Sequence, residues 1–276
     1  MNPVQKALWF VEGNPRDAAT LDAIARHSGV SPYHLTRAFA AVTGLSLMRY
    51  VRARRLSEAA RELERGAPSI LAVALDAGYG SHEAFTRAFR EHFGTTPEQY
   101  RNSSAERRVT PTEAITMDET PMPNLAAPRI ETSKPRLLAG LSVRYRGDTM
   151  GGIPAQWQRL HEVGGVPDAI GQVAYGACYN TDDDGNLDYL CGFEVADFTA
   201  LPKGFGSLRV PEQKYAVFHQ PEHISTIRRT FAAIWTTWLP KSGHKVADAP
   251  VLERYGAAFD AVTGNGGFEI CVPIER

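Results

Sequence analysis

In roughly the first 100 positions, apolar residues recur every three or four residues, the spacing of one face of an α-helix. This spacing predicts two pairs of helices, and a glycine ends the first helix of each pair, Gly29 in one and Gly78 in the other. Between the pairs, apolar positions from Ser46 to about Arg65 predict one longer helix. About 20 residues at 1.5 Å each would make it roughly 30 Å long. The pattern is typical of two helix-turn-helix units joined by a long helix.

Downstream of residue 134 the pattern changes to short runs of β-branched and aromatic residues, separated by turns rich in Gly and Asp. Two units are predicted, each with a strand, a helix and a hairpin. The strands are predicted over 137–145 and 214–219, and the helices over about 154–162 and about 224–239. The predicted fold class is multi-domain, with an all-α N-terminal domain and an α+β C-terminal domain built from a duplicated β-α-β-β unit.

The segment between the two patterns is rich in Pro, Ser, Thr and Glu and has no sustained apolar periodicity. Such a composition is typical of a linker. We therefore predict an N-terminal domain over 1–104, a linker over 105–133 and a C-terminal domain over 134–276.

A short motif is repeated within the helical part: Thr36-Arg37-Ala38-Phe39 recurs as Thr86-Arg87-Ala88-Phe89. Two copies of one unit, held apart by a long helix, present two matched surfaces, which suits a ligand that itself repeats. Duplex DNA is such a ligand, and its turn of roughly 34 to 36 Å is close to the length of the long helix. The expected partner is therefore double-stranded DNA, bound in two successive major grooves.

The second helix of each pair buries its apolar residues and leaves a polar outer face. Arg can bond guanine in a bidentate way, Thr and Tyr can reach phosphate or the thymine methyl, and Glu can accept a hydrogen bond from cytosine. The candidate DNA-binding residues are Tyr33, Thr36, Arg37, His82, Glu83, Thr86, Arg87 and Arg90. A modest basic excess favours the same half, since residues 1–108 carry 15 basic against 11 acidic residues. A repeat that serves only helix packing is the alternative.

The C-terminal part contains two further repeats: Tyr175-Gly176-Ala177 recurs as Tyr255-Gly256-Ala257, and Gly192-Phe193-Glu194 recurs as Gly267-Phe268-Glu269. Two such units would leave a cleft between them, where ligands often bind. If the two Tyr-Gly-Ala motifs are equivalent, Glu253 occupies the place of Val173. Strand alternation then puts Glu253 with Tyr255, and Tyr175 with Tyr179 on the equivalent face of the other copy.

Glu253 is an acidic residue on a strand expected to be half buried. An unpaired buried carboxylate is unfavourable, so the group is expected to be neutralised, paired with Arg or Lys, or used to bind a cation. A salt bridge with Arg254 or Arg144 and exposure at the strand end are the alternatives. The candidate ligand-binding residues are Glu253, Tyr255, Tyr175, Tyr179, Phe193 and Phe268. Trp157, Trp235 and Trp238 are expected to pack in the core.

The three cysteines, Cys178, Cys191 and Cys271, are widely spaced within apolar runs, so we expect buried free thiols and no metal site. No apolar run approaches the roughly 20 residues of a membrane-spanning helix, and the first residues lack the apolar stretch of a secretion signal. We expect a cytoplasmic protein with no cofactor and no membrane partner.

The helical half closely resembles the AraC/XylS transcription factors over residues 5 to about 102. The resemblance is carried by Ala25, Gly29, Ser31, Leu35, Phe39, Gly44, Tyr50, Arg55, Leu56, Ala59, Ile70, Ala74, Gly78, Tyr79, Phe85, Phe89, Gly94, Pro97 and Tyr100. It implies DNA contacts by Tyr33, Thr36 and Arg37 in the first unit and by His82, Glu83, Thr86 and Arg87 in the second. Ala40 is short where some relatives carry a basic residue. The resemblance favours an activator, and RNA polymerase is a further candidate partner.

Residues 134–276 resemble the GyrI-like effector-binding domains. The matching segments are Ala216-Val217-Phe218, Trp238-Leu239-Pro240, Leu252-Glu253-Arg254-Tyr255 and Ile270-Cys271-Val272-Pro273-Ile274. In that family a glutamate matching Glu253 contacts bound compounds that are often cationic and aromatic, which implies an effector of this kind here. Glu194 and Glu269 occur in both copies and are expected to be structural. The order of the two domains resembles that of Rob-type regulators.

Residues and resemblances together predict a sequence-specific DNA-binding transcription regulator, not an enzyme, whose activity responds to a small cationic or amphipathic aromatic ligand. One alternative is a GyrI-like hydrolase that acts on a small electrophile with Glu253 as general base. The sequence offers no obvious Ser-His-Asp set, metal-ligand cluster or Gly-rich phosphate loop to support it. The other alternative is a C-terminal module that binds a protein partner.

Overall fold

The computed structural model describes residues 1–13, 19–67, 69–103, 111–115, 125–146, 149–199 and 201–275. These residues form two compact units, one mainly helical and one built on a sheet. The helices of the first part of the chain are α1 (Pro3–Gly13), α2 (Leu21–Ser28), α3 (Pro32–Thr43), α4 (Leu47–Glu64), α5 (Ile70–Asp76), α6 (His82–Phe93) and α7 (Pro97–Asn102). They include both predicted pairs, α2 with α3 and α5 with α6, joined by the long helix α4.

Local capping explains where the paired helices begin and end. The side chains of Thr20 and Ser81 accept the backbone N–H of Ala23 and Ala84, at 3.2 and 3.1 Å. Gly29 ends α2 with φ of 75°, in the left-handed region that favours glycine. Gly29 thus ends its helix as predicted, whereas α5 ends at Asp76 with Ala77 as its C-cap, just before the predicted Gly78.

A cluster of aromatic rings holds the second helix pair together. Phe85, Phe89 and Phe93 lie on the inner face of α6, and Tyr100 of α7 packs against them. The ring centroid of Phe89 lies 5.4 Å from that of Phe85, 4.5 Å from Phe93 and 5.4 Å from Tyr100. Full burial of one such ring stabilises the fold by about 1.5–3 kcal/mol. Burial of these rings therefore determines the rotation of α6 about its own axis.

The predicted linker contains a short segment, residues 111–115, that is bonded to α4. The Thr112 N–H donates to Ser57 Oγ at 2.9 Å, and the Thr112 carbonyl accepts from Arg54 Nη1 at 2.7 Å. The N–H of Ile115 donates to the Tyr50 hydroxyl at 3.1 Å. This segment therefore packs as part of the helical unit, although its sequence has no apolar periodicity.

The second unit contains one eight-stranded antiparallel sheet and helices packed on it. The strands are β1 (Arg129–Ser133), β2 (Arg136–Tyr145), β3 (Ala169–Tyr179), β4 (Leu187–Val195), β5 (Gly206–Val210), β6 (Gln213–Gln220), β7 (Val251–Tyr255) and β8 (Phe268–Pro273), in the order β1-β6-β8-β7-β3-β4-β2-β5. The predicted strands 137–145 and 214–219 are β2 and β6. The sheet is thus symmetric in its order about the central pair, β7 and β3.

Each repeat has one strand more than predicted. β1 precedes β2 in the chain but pairs with β6, and β5 precedes β6 but pairs with β2. Each unit is therefore β-β-α-β-β, and the two units exchange their first strands. Residues 129–133, which form β1, fall within the predicted linker because this edge strand has mostly exposed side chains and no apolar run.

The two predicted helices of the sheet unit are present. The first is α8 (Ile153–Glu162), and the second consists of α9 (Ile227–Ala233), a π-helical turn (Ile234–Trp238) and α10 (Leu239–Ser242). In the π turn the N–H of Leu239 donates to the carbonyl of Ile234, five residues back. Pro240 follows and has no N–H to donate, which explains the break in the α-helical ladder.

Candidate DNA-binding and ligand-binding sites

The outer face of α6 presents the predicted side chains of the second helix pair. His82, Glu83, Arg87 and Arg90 are exposed and Thr86 is half-buried, opposite the buried phenylalanines. The pKa of Glu83 is lowered by a backbone hydrogen bond at the helix start and by the Ser81 hydroxyl. This face therefore combines bidentate donors, a small hydroxyl and an ionised carboxylate, which is a set of groups that can discriminate base edges.

The outer face of α3 is less accessible than predicted. Tyr33 is half-buried, and Thr36 and Arg37 are only 3% and 8% exposed. Helical periodicity identifies the side chains that point away from a helix's own core, but exposure of that face depends on the rest of the fold. The contacts of Tyr33, Thr36 and Arg37 with DNA stay a prediction.

Arg87→Ala is expected to weaken binding to a cognate duplex by about 1–3 kcal/mol and to relax the sequence preference at one base pair. The duplex would be selected from random sequence with the wild-type protein, and affinities measured by fluorescence anisotropy at one salt concentration. Arg65→Ala, which removes an exposed charge just beyond α4, is the matched control. Equal losses for Arg87→Ala on all sequences would mean that Arg87 contacts only phosphate.

The sheet unit contains a buried carboxyl group, Glu253 of β7, which is 5% exposed. The hydroxyls of Tyr189 and Tyr255 donate to Glu253 Oε2 at 2.6 and 2.8 Å. Trp157 Nε1 of α8 donates to the Tyr189 hydroxyl at 3.0 Å. We call these four residues the carboxyl site. Both hydroxyls bond the same oxygen, so Oε1 has no donor in the part of the chain that the structure describes.

Aromatic rings surround the carboxyl site. The Trp157 ring lies edge-on to Tyr255, with centroids 5.4 Å apart and an interplanar angle of 80°. Phe259 packs on the other side of Tyr255 at 4.7 Å, and Tyr145 meets Tyr189 at 6.4 Å. The carboxyl group therefore lies among π-systems that can attract a cation as well as shield it from water.

Gly176 of β3 lies directly beneath the hydrogen-bonded side chains of Glu253 and Tyr189. It pairs with Glu253 across β3 and β7, so the two residues face the same side of the sheet. A Cβ at position 176 would lie 2.3 Å from Glu253 Oε2 and 2.3 Å from the Tyr189 hydroxyl. The hydrogen-bonded group thus occupies the space that any other residue at this position would need.

Gly176→Ala is expected to lower the free energy of unfolding by about 1–3 kcal/mol, because the added methyl must push Glu253 or Tyr189 out of place. Thermal unfolding of the full-length protein would measure this. Gly256→Ala is the control, since a Cβ there would meet nothing within 4 Å. Equal stability of the two variants would show that the carboxyl site can rearrange without cost.

Burial determines the electrostatics of the site. Desolvation raises the pKa of Glu253, and the hydrogen bonds from Tyr189 and Tyr255 offset only part of that rise. Burial together with the nearby Glu253 also holds the pKa values of both tyrosines well above the usual range, so their hydroxyls stay protonated as donors.

Neither predicted alternative for Glu253 is found. Arg254 points to the other face of the sheet, where Nη1 lies 2.8 Å from Glu131 and Nη2 lies 2.9 Å from Glu269. Arg144 pairs with carboxylates of the β3–β4 hairpin. Glu253 has no basic partner among the described residues, and it is not exposed at a strand end.

The predicted pairing of faces was wrong for two tyrosines. Gly176, not Tyr175, lies on the same face of the sheet as Glu253. Tyr175 and Tyr179 therefore lie on the opposite face, where they belong to a hydrophobic cluster of that face. In the first copy Phe193 pairs with Ala174. In the second copy, the register that pairs Glu269 with Arg254 sets Phe268 opposite Tyr255. Ala174 and Tyr255 are therefore equivalent, and the Tyr-Gly-Ala repeat is out of phase with the structural repeat by one residue. A slip of one residue moves a strand's side chains to the other face.

Other candidate residues are placed as follows. Phe193 lies on the Glu253 face because its partner Ala174 is two residues from Gly176, and Phe268 does so because it is two residues from Ile270, the partner of Glu253. The contacts of Phe193 and Phe268 with a ligand stay a prediction. Glu194 and Glu269 form ion pairs with Arg136 and with Arg129 and Arg254, in keeping with the structural role expected of them.

Two residues of the carboxyl site, Tyr189 and Trp157, are not among the ligand-binding residues predicted from the sequence. Tyr189 belongs to no repeat, and its hydroxyl reaches Glu253 only because β4 lies beside β3 in the sheet. Trp157 was assigned to the core from its place on a helix, but it is only half-buried and bonds Tyr189. Trp235, in contrast, is buried in the core as predicted. The sequence signal that could have identified both residues is that a buried Tyr or Trp needs a hydrogen-bond partner for its polar atom, and a buried acid can be that partner.

The cysteines of the sheet unit are chemically unreactive. Cys178, Cys191 and Cys271 are free and buried as predicted, and burial raises their pKa values to about 12, about 11 and about 12. No group of three or more His, Cys, Asp or Glu side chains in the described ranges is placed to hold a metal ion. Within those ranges, no helix combines the length and apolar character needed to cross a bilayer.

Two family models match the chain. One is described as "GyrI-like small molecule binding domain" and matches residues 126–275, and the other is described as "Helix-turn-helix domain" and matches residues 24–103. The first match covers more than half of the chain.

Curated relatives and solved structures add to these matches. The HTH-type transcriptional activator AarP of Providencia stuartii is 36% identical over 100 residues, which are 36% of this chain and 74% of AarP. The transcriptional regulator Rob of Salmonella typhimurium is 42% identical over 101 residues, 37% of this chain and only 35% of Rob. The structure of SAV2435 bound to tetraphenylphosphonium is similar with a TM-score of 0.45 at 18% identity, over 54% of this chain and 94% of that one.

A double helix-turn-helix unit followed by a small-molecule-binding sheet domain defines the class of DNA-binding transcription regulators that carry an effector domain. The named relatives are transcription regulators and not enzymes. The chain belongs to the GyrI-like family and carries an AraC-type helix-turn-helix domain ahead of its GyrI-like domain, in the Rob-like order.

Proposed function

We propose that this regulator activates transcription in response to a small cationic, aromatic compound that binds at the carboxyl site. The observation that supports the ligand class is the carboxyl group of Glu253, 5% exposed and without a basic partner among the described residues. Such a group is unfavourable in the folded protein unless it is neutralised. A cation supplied from solution would neutralise it.

The rings around the carboxyl site favour an aromatic ligand over a small inorganic ion. Trp157 and Tyr255 present π-systems next to Glu253. Each aromatic face within reach of a desolvated cation adds on the order of 0.5 to 2 kcal/mol. The same rings pack against one another, with Tyr255 in contact with both Trp157 and Phe259.

For the DNA part, we propose that α3 and α6 enter two successive major grooves. The 18 residues of α4 make a helix of about 27 Å. This length is somewhat less than one turn of B-DNA, and α4 joins the two helix pairs. The candidate contacts remain Tyr33, Thr36, Arg37, His82, Glu83, Thr86, Arg87 and Arg90. The naming of AarP as an activator supports the sign of regulation, and RNA polymerase is the further partner that an activator requires.

Tetraphenylphosphonium and tetraphenylborate, which share a shape and differ in charge, test the ligand class with the full-length protein. At 100 times its Kd, a ligand that binds only the folded state stabilises it by about 2.7 kcal/mol. We expect tetraphenylphosphonium to raise the thermal midpoint and tetraphenylborate to leave it unchanged. Equal shifts with both ions would indicate apolar binding that does not depend on Glu253.

The regulatory part requires a second measurement. If the cation changes the affinity for a selected DNA duplex, linkage demands that the duplex change the affinity for the cation by the same factor. Titrations in both directions would measure the two factors. A cation that binds without changing DNA affinity would leave the domain as a binding module and contradict the proposed control of DNA binding.

A further inference from the structure

We propose that a cation enters the carboxyl site in exchange for a proton: Glu253 is a neutral carboxylic acid in the empty site and becomes a carboxylate when the cation binds. The proton leaves to solvent, no other bond changes, and the net charge of the site stays the same. This inference rests on the proposed function, because it assumes that the ligand is a cation.

The hydrogen bonds of Glu253 leave one of its two oxygens free to carry a proton. A carboxylate has two equivalent acceptor oxygens, whereas a carboxylic acid has one carbonyl oxygen and one hydroxyl. Tyr189 and Tyr255 both donate to Oε2, and no described residue donates to Oε1. In the proposed neutral acid, Oε2 is the carbonyl oxygen that accepts from both tyrosines, and Oε1 is the atom that carries the proton.

Among the described residues of β3, β4 and β7, no side chain that faces Glu253 carries a positive charge. Arg37 of α3 is hydrogen-bonded to Cys178 but is not among the groups that shift the pKa of Glu253. Tyr189 comes from β4, Tyr255 from β7, and Cys178 from β3, two residues from Gly176 on the same face. All three are neutral when protonated and become anions when ionised, and burial raises the pKa of each. None of the three brings a positive charge to Glu253, and the hydrogen bonds from the two tyrosines offset only part of the effect of burial.

The remaining neighbours do not change this balance. From α8 the carboxyl site receives Trp157, which does not titrate, and from β8 the partner of Glu253 is the apolar Ile270. Arg159 of α8 acts on Tyr145 and Cys191, whereas the pKa of Glu253 responds only to burial and to its two tyrosines. Arg254 is bound to carboxylates on the opposite face.

Exchange has a measurable stoichiometry. Below the pKa of Glu253, binding of each cation releases one proton, so the Kd for the cation falls about tenfold for each unit of rising pH. Above that pKa the Kd no longer depends on pH. A site that was already ionised would release no proton and would bind equally well across the range.

The test uses full-length protein and tetraphenylphosphonium, which has no proton of its own to exchange. Calorimetric titrations at a series of pH values, each in two buffers of different ionisation enthalpy, count the protons released per bound cation. At the acidic end of the series we expect the count to approach one for the wild type and for Glu222→Gln, which changes an exposed carboxylate, and to be zero for any residual binding by Glu253→Gln. Tight binding that needs Glu253 but releases no proton at any pH would overturn the exchange.

A measurement without ligand separates this inference from the proposed function. At the acidic end of the same pH series, the ligand-free wild type should show an infrared carbonyl band of a protonated carboxylic acid that is lost in Glu253→Gln. If tetraphenylphosphonium fails to bind but the band is present, the protonated state stands and the proposed ligand class fails. Absence of a band that depends on Glu253 overturns the exchange whether or not a cation binds.

Discussion

Glu253→Gln is expected to weaken the binding of tetraphenylphosphonium by about 30-fold or more. Removing one partner of a buried charge pair typically costs about 2–5 kcal/mol, and each 1.4 kcal/mol is a factor of about ten in Kd. Gln keeps an oxygen that can accept from Tyr189 and Tyr255, so the packing of the carboxyl site is largely preserved. The loss should therefore report charge.

Calorimetry or fluorescence titration at about pH 8 would measure this effect, with Glu222→Gln as the control for removal of an exposed carboxylate. Trp157 lies against Tyr255, so its emission is a convenient local signal. If Glu253→Gln binds the cation as tightly as Glu222→Gln, the ligand does not use Glu253, and the carboxyl group would be only a structural part of the sheet unit.

Glu12→Ala is expected to destabilise the helical unit by about 2–3 kcal/mol. Glu12 of α1 accepts from Arg54 Nε at 2.9 Å and Nη2 at 2.7 Å, and from the Tyr50 hydroxyl at 2.5 Å. Arg54 is 5% exposed, so the variant would leave a buried guanidinium without its main partner. Fully buried pairs cost about 3–5 kcal/mol to break, and the 25% exposure of Glu12 reduces that figure.

Chemical denaturation with circular dichroism at the helical band would measure the change. The double variant Glu12→Leu with Arg54→Met should be more stable than Glu12→Ala, since it leaves no unpaired charge. A double variant as unstable as the single one would show that helix packing, rather than the unpaired charge, accounts for the loss.

The same network gives a pH dependence with a definite sign. Burial would raise the pKa of Glu12, but the hydrogen bonds from Arg54 and Tyr50 outweigh it and the pKa is lowered below 4.5. The stabilisation is therefore present above about pH 4.5 and is lost as pH falls through the folded-state pKa. Glu12→Ala should lack this part of the acid sensitivity.

Several features could be read from local patterns alone. The helix pairs follow from apolar spacing together with Thr20, Gly29 and Ser81, because capping and left-handed glycine positions depend only on neighbouring residues. The buried aromatic face of α6 follows from the same spacing. The repeated Thr-Arg-Ala-Phe motif predicted two equivalent units, and an acidic residue among apolar strands marked Glu253 as unusual.

Pairing between distant strands could not be read in the same way. The Tyr-Gly-Ala repeat suggested that Tyr175 matches Tyr255, but the register of β3 against β7 places Gly176 beside Glu253 and turns Tyr175 away. Tyr189 enters the carboxyl site because β4 is the neighbour of β3. Register and neighbour choice depend on the whole sheet, and a shift of one residue exchanges its two faces.

The sequence by itself determined the class of each domain, the two helix pairs and the unusual acidic residue Glu253 among apolar strands, since these depend on local spacing and side-chain chemistry. The tertiary structure alone decided that β1 pairs with β6, that residues 111–115 bond to α4, and that Thr36 and Arg37 are buried. It also decided which aromatic residues surround Glu253. These outcomes depend on contacts between residues far apart in the chain, which periodicity within one element cannot encode.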